Sequence, residues 1–284
     1  MTPADKVAAA EVRRRFAEEA SRPDGRVDLG RAALLLGAEE EPRRVHVERC
    51  LARLDEMGEE ARARAVRQGG SRVEALNRYL FDELGFVGNE SDYYDPRNSM
   101  LHHVLGRRKG IPITLSVVYI ETGRRAGLRV EGVGLPGHFV VRAFEGEDDA
   151  GVLVDPFNRR STDAEECQSR IDLIYDGRVE LGEEHLRAVG ARSILARMLG
   201  NLKAVYVRAG LYRRALSAVE RLLLLAPSDL EERRDRGMLL AQLGRLHEAV
   251  ADTQTYLNLS PDAPDADAVR EQLKKMQARQ AMLN

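Results

Sequence analysis

Gly110-Ile111-Pro112-Ile113-Thr114-Leu115-Ser116-Val117-Val118-Tyr119-Ile120-Glu121-Thr122-Gly123-Arg124-Arg125-Ala126-Gly127 is the stretch around which the chain is read. Proline stands just inside its start and glycine just past its end, the asymmetry that punctuates a helix at both termini. Between them the run is apolar, with Glu121 the only acid before Arg124, so the spacing predicts a largely buried helix.

Downstream of Gly127 the pattern changes to short β-type runs. Val130 to Val133, Phe139 to Phe144 and Val152 to Val154 read as three antiparallel strands, with a Leu135-Pro136-Gly137 turn and an acidic loop from Glu145 to Gly151 between them. Strands behind a buried helix make an α+β domain. In the second strand His138, Val140 and Arg142 share one face, and Phe139, Val141 and Ala143 the other. A hairpin centred between Gly146 and Glu147 would put His138 directly across from Asp155, although a loop of that length leaves the register open. Asp155-Pro156-Phe157-Asn158 then closes the sheet, and Thr162 with Glu165 and Glu166 opens a helix-like segment that contains Cys167.

Upstream, helical periodicity is nearly continuous. Val7, Ala8, Val12 and Phe16 mark a first helix over residues 4 to 20, and Asp28 caps a second that ends at Gly37. A third, from about Arg43 to Val66, carries Val47, Cys50, Leu51, Leu54 and Met57 on one stripe, which makes Cys50 a core residue. Ser71 caps a fourth that ends before Gly85. Tyr93-Tyr94-Asp95-Pro96-Arg97-Asn98-Ser99 reads as a turn that closes in a helix cap, and a short helix from Met100 to about Arg108 follows. His102 and His103 lie in it. Adjacent helical positions point about 100° apart, so one imidazole should be packed and the other exposed, without chelating one ion.

From about Ala191 the chain repeats. Gly210 and Gly244, Ala215 and Ala249, and Pro227 and Pro261 are each 34 residues apart, the period of a tetratricopeptide helix pair. Leu202, Tyr206, Tyr212, Val219 and Leu222 occupy packing positions in the first copy, and Gly237, Leu240, Leu246 and Tyr256 in the second. A helix from about Asp265 to Leu283 would cap the array. The expected organisation is a helical region over 1–88 packing on the core, an α+β core over 89–190, and an all-α repeat segment over 191–284.

Composition narrows the function classes. The 284 residues are 43% hydrophobic and 32% charged, enough for about two domains with cores of their own. Forty-four basic against 46 acidic residues leave a net charge of -2, which offers no bulk attraction to nucleic acid or an anionic membrane. No run reaches the roughly 18 apolar residues of a membrane span, and the first twenty residues lack the apolar core of a signal peptide. Cys50 and Cys167 can form neither a disulfide framework nor a CxxC zinc pattern, so a reducing, cytoplasmic setting is expected, with no structural metal and no cofactor.

The order of helix, Gly137-His138-Phe139 strand and Asp155-Pro156 strand end resembles the transglutaminase-like superfamily, whose members use a Cys-His-Asp triad on a papain-like core. More narrowly, Gly85-Phe86, Tyr93 to Ser99, Gly110-Ile111-Pro112-Ile113, Gly132 to Phe139 and Asp155-Pro156-Phe157-Asn158 resemble the bacterial SirB-type family, in which this core is followed by tetratricopeptide repeats. In active superfamily members the nucleophilic cysteine opens the central helix, where unpaired N–H groups and the helix dipole favour a thiolate. Counting back from Ala126-Gly127, the resemblance puts Pro112 at that position, which leaves His138 and Asp155 as a remnant triad. Thr114, Ser116 and Cys167 are the substitutes to weigh.

Two readings therefore compete. In one, a degenerate transglutaminase-like domain and a repeat array form a non-catalytic scaffold that holds a protein or peptide, with Asn201, Arg208, Arg234 and Gln242 facing the repeat groove; a homo-oligomer is compatible with it. In the other, the protein is a hydrolase or acyl transferase with His138 as base, Asp155 as its orienter and a nucleophile or activated water not visible in the pattern. Nucleic-acid regulation has no reading motif to support it.

Overall fold

The computed structural model describes residues 2–146 and 150–282, and its contacts divide the chain into Met1–Met198 and Leu199–Asn284. In the first unit α1 (Pro3–Ser21) opens with a capping box, in which Thr2 Oγ1 accepts from the Asp5 amide at 3.2 Å and the Asp5 carboxylate accepts from the Thr2 amide at 2.8 Å. Asp28 caps α2 (Leu29–Glu40) by accepting from the Arg31 amide at 2.9 Å. This helix runs on through Gly37, where a stop was expected. Gly37 acts there as a clearance: a Cβ on it would lie 2.2 Å from Nδ1 of His102.

The stripe of α3 (Val47–Gln68) buries Val47, Leu51, Leu54, Met57 and Ala61, while Cys50 is only half-buried at its edge. Ser71 caps α4 (Arg72–Asn77), which continues into a π-helical turn over Arg78–Glu83 before Gly85. A two-residue strand β1 (Val87–Gly88) pairs in parallel with β2 (Lys109–Gly110), and between them lie a 3-10 turn over Pro96–Ser99 and α5 (Leu101–Arg107). This pairing brings the residues before α6 (Pro112–Arg125) alongside Phe86-Val87-Gly88.

Every residue of α6 from Pro112 to Gly123 is buried, as its sequence predicts. Each fully buried Leu, Ile or Val there contributes about 1.5–3 kcal/mol relative to exposure. The helix is also tied at its polar points. The Tyr119 hydroxyl donates to Asn77 Oδ1 at 2.8 Å, and Glu121, buried in mid-helix, accepts from Arg125 at 2.5 Å. α3 crosses α6 at Gly58, where a Cβ would lie 2.2 Å from Cβ of Arg125.

Among the described residues the sheet has five strands, not three. Their ranges are β3 (Arg129–Leu135), β4 (His138–Phe144), β5 (Val152–Asp155), β6 (Arg160–Thr162) and β7 (Ala188–Val189), in the order β6-β5-β4-β3-β7. β6 and β7 carry too few residues for an alternation to show. Because side chains alternate along a strand, the sheet has two apolar faces. One receives α6, with Gly123 set against the Val130 side chain. The other gathers Val133, Leu135, Val140 and Leu153 under Cys167 of α7 (Ala164–Tyr175). Asp163 caps α7, accepting from the Glu166 amide at 2.9 Å, whereas Thr162, expected to open it, ends β6.

The second unit takes up most of α8 (Ala191–Arg208), then α9 (Tyr212–Leu225), α10 (Leu230–Gln242), α11 (Leu246–Leu259) and α12 (Ala266–Ala281). The two helices of each pair are separated by Gly210 in the first and Gly244 in the second, both at positive φ. Gly237 lets α10 approach α11 closely: a Cβ on it would lie 2.7 Å from Thr253 Oγ1. α12 completes the array by burying Val269 and Leu273 with Tyr256 and Leu257. Leu283 and the acidic loop positions 147–149 lie outside the described residues. Among the described residues no helix is long and apolar enough to cross a membrane.

Candidate functional site

His138 begins β4 immediately after Gly137, whose φ of 66° turns the chain out of β3. Arg197 fastens this corner. Its guanidinium donates to the Leu135 carbonyl at 3.0 Å and to the His138 carbonyl at 2.6 Å.

The His138 and Asp155 side chains meet, with Nε2 to Oδ2 at 2.8 Å, and both are nearly inaccessible at 3% and 4% exposure. The register differs from the centred hairpin. Val141 pairs with Val154 and Arg142 with Leu153, so Asp155 falls opposite Val140, two residues along from His138. A shift of two keeps every side chain on its face, and the imidazole reaches the carboxylate diagonally.

Asp155 is held from several sides. Oδ1 accepts from the amides of Phe157 at 3.0 Å and Asn158 at 3.1 Å, and Oδ2 also accepts from Nδ2 of Asn158 at 2.6 Å. Burial alone would raise the Asp155 carboxyl, but the bonds from His138 and Asn158 outweigh it and hold the group below its ordinary value of 3.8.

The other imidazole nitrogen is also engaged: Nε of Arg170, on α7, donates to Nδ1 of His138 at 3.3 Å. A guanidinium only donates and an ionised carboxylate only accepts. His138 is therefore the Nε2–H tautomer, with its Nδ1 lone pair directed at Arg170. Phe157 stands edge-on to the imidazole at 6.2 Å between ring centres, and Tyr93 stands against Phe157 at 6.2 Å.

The remaining nucleophile candidates are accounted for. Pro112 is the first residue of α6 and is buried. Ser116 Oγ donates to the Phe139 carbonyl at 3.5 Å, and the Thr114 hydroxyl is buried without a partner among the described residues. Cys167 lines the same cavity of about 170 Å³ as His138, Asp155, Asn158 and Arg170, but burial raises its thiol and its hydrogen bond is with Thr162. Arg170 was absent from the sequence reading, and Asn158 entered it only as the last residue of the Asp155-Pro156-Phe157-Asn158 motif, without a role. The one signal for Arg170 is its spacing, three residues after Cys167 on the face of α7 that meets the sheet.

The Tyr93 to Ser99 motif forms a polar knot. Asn98, fully buried, donates to the carbonyls of Asp92 at 2.7 Å and Tyr93 at 3.2 Å, and Asp95 takes Arg97 at 2.8 Å and Arg107 at 3.1 Å.

The repeat-unit candidates lie on two helices, α8 and α10. Arg234 is bonded to Asp235 at 2.8 Å and also to Asp265, so its charge is matched within the unit. Gln242 lines a different hollow of about 400 Å³ with Met238, Leu246, Lys275 and Arg279. Asn201 and Arg208 lie on α8.

Comparison with known proteins agrees with this architecture. The transglutaminase-like superfamily matches residues 48–200, and a tetratricopeptide repeat family matches residues 202–274. A UPF0162 protein of Xylella fastidiosa strain 9a5c is 42% identical over 206 residues, covering 71% of this chain and 73% of the relative. A UPF0162 protein of Vibrio cholerae is 29% identical over 206 residues, covering 72% of this chain and 76% of that protein. Human F-box only protein 21 is 32% identical over 151 residues, which span 49% of this chain and 22% of that protein. No solved structure matches the chain significantly. With the superfamily matching more than half its length and a UPF0162 relative at this identity, the chain belongs to the UPF0162, SirB-type family of the transglutaminase-like superfamily, here followed by tetratricopeptide repeats.

Proposed function

We propose that the protein is a non-catalytic scaffold that holds a protein or peptide partner through its repeat unit, with the transglutaminase-like domain as a structural remnant of an enzyme. The observation that carries this reading is the state of His138. Its Nε2–H is given to Asp155 and its Nδ1 lone pair receives Arg170, so the nitrogen that would have to take a proton from a nucleophile is occupied. Pro112 at the head of α6 supplies neither a nucleophile nor an N–H. Tetratricopeptide repeats in general mediate protein–protein interactions, which supports the repeat unit as the binding part. Within it the hollow beside Gln242, rimmed by Lys275 and Arg279, suits an acidic or polar peptide segment, and Asn201 and Arg208 on α8 extend the candidate surface.

The test is a quantitative pulldown with the full chain, comparing wild type with Arg208→Glu, Lys275→Glu and His138→Ala. The scaffold reading expects partners recovered with wild type and His138→Ala to be depleted by a repeat-unit charge reversal. Unchanged recovery with both reversals would remove the repeat surface from consideration.

Catalysis is the second reading, because Cys167 shares the cavity with His138. It would require the Arg170 bond to open and the thiol to turn from Thr162. A thiol-directed acylating probe decides it: labelling of Cys167 in wild type that disappears in His138→Ala would establish a working pair and overturn the non-catalytic reading.

A further inference from the structure

Away from the His138 cavity, the end of α2 and the start of α5 bring together three side chains of metal-ligand type. Glu41 closes α2 as its C-cap residue, and His102 and His103 lie in the first turn of α5. The two imidazoles do not diverge into one packed and one exposed ring, as the helical spacing suggested. Their centres are 4.1 Å apart with the planes inclined by 39°, and both side chains are half-buried. The first turn of a short helix following the extended residue Met100 allows χ1 choices that swing both rings toward α2.

We propose that Glu41, His102 and His103 form a binding site for a late first-row divalent cation of the zinc type, with water in the fourth position. One ligand atom from each residue lies within 4.8 Å of the other two, and Nε2 of His103 is 3.1 Å from Oε1 of Glu41. Donors held tetrahedrally at zinc bond lengths stand roughly 3.3–3.5 Å from one another. The His103–Glu41 pair is already near that separation, and the third donor closes by a swing of one imidazole.

His102 supplies the independent observation. Both of its ring nitrogens are buried, and among the described residues neither has a hydrogen-bond partner. Leaving such a group unsatisfied is destabilising, which a purely structural position would avoid with leucine or phenylalanine. The fold also makes room for this ring, since Gly37 presents bare backbone to it. A neutral imidazole offers one ring-nitrogen lone pair to a metal, and binding would give the His102 ring the partner it lacks. Two imidazoles and one carboxylate select zinc or its first-row neighbours over the oxygen-seeking Mg²⁺ and Ca²⁺. Arg44 stands 3.9 Å from the second carboxylate oxygen of Glu41, but its side chain is 84% exposed and can turn into solvent. Bound there, the ion would join the C-terminus of α2 to the start of α5.

The full chain, stripped with chelator and dialysed, is titrated with ZnCl₂ by calorimetry and with CoCl₂ by visible absorption. One equivalent should bind in the micromolar range or tighter, with the intense d–d bands of a four-coordinate cobalt site, and zinc should raise the melting temperature. Glu41→Gln and His103→Gln should each weaken binding by more than about tenfold, the scale on which even outer-shell partners act. Gly37→Ala, whose Cβ would occupy space now taken by the His102 ring, should weaken it while removing no ligand. X-ray absorption at the zinc edge of the wild-type chain needs no variant and should report two imidazoles and one or two oxygens. Absence of stoichiometric binding, equal affinity in Glu41→Gln and His103→Gln, or a first shell without imidazole would each overturn the site.

Discussion

Replacing Asp155 with asparagine tests the central polar arrangement of the first unit. The wild-type carboxylate is 4% exposed and accepts two bonds on each oxygen: the Phe157 and Asn158 amides on Oδ1, and His138 Nε2 with Asn158 Nδ2 on Oδ2. Asp155→Asn is nearly isosteric, so no cavity complicates the result. Its oxygen can keep one pair of donors, and its NH₂ must then face the other. If the backbone amides keep the oxygen, the Asn158 side chain can flip its amide to accept. His138 cannot adjust as cheaply, because moving its proton to Nδ1 would place an N–H against the Arg170 N–H. One charge-assisted bond is lost and one buried donor faces another, a cost of about 3–5 kcal/mol. The assay is urea unfolding at neutral pH followed by circular dichroism, with the midpoint read at constant m. Acid supplies the second reading. Asp155 has a folded value depressed below 3.8, so its stabilisation is complete above 3.8 and is lost as pH falls through the lower folded value. The gap between wild type and variant should therefore stay level near neutrality and narrow only at the acid end. Adding Arg170→Met to Asp155→Asn should recover part of the loss by freeing the tautomer. A deficit below about 1 kcal/mol, or no recovery in the double variant, would refute the bonding scheme.

Two further outcomes are expected. Gly30→Ala on α2 places a Cβ 2.4 Å from Oε2 of Glu121 and pushes that buried carboxylate off Arg125; it should lower stability by about 1–3 kcal/mol, although alanine is the better helix former, and a raised melting temperature would show that α2 and α6 separate freely. Cys167, buried and with its thiol raised by that burial, should be alkylated by iodoacetamide at neutral pH more slowly than a free cysteine when peptides are quantified by mass spectrometry, and rapid labelling would contradict the buried, unactivated thiol.

The sequence by itself determined the elements that carry their own periodicity or punctuation. The buried helix after Pro112, the 34-residue repeat and the alternation around His138 are local signals, because burial on one face or on all faces is written into residue spacing. The two strands it missed, Arg160–Thr162 and Ala188–Val189, are too short for alternation to register, and they exist because a sheet edge was available to pair with. Gly37 read as a helix stop because a glycine's use depends on what approaches it, here the His102 ring. The face of β4 that carries His138 was legible, but the register was not, since sliding by two residues preserves every apolar match. Only the tertiary structure decided where the second imidazole nitrogen points, how Arg170 comes to it from a helix 32 residues away, and that Glu41 stands beside a histidine pair 62 residues further along. Such contacts join side chains from separate elements, and their geometry follows from how the elements pack, which spacing along one segment does not encode.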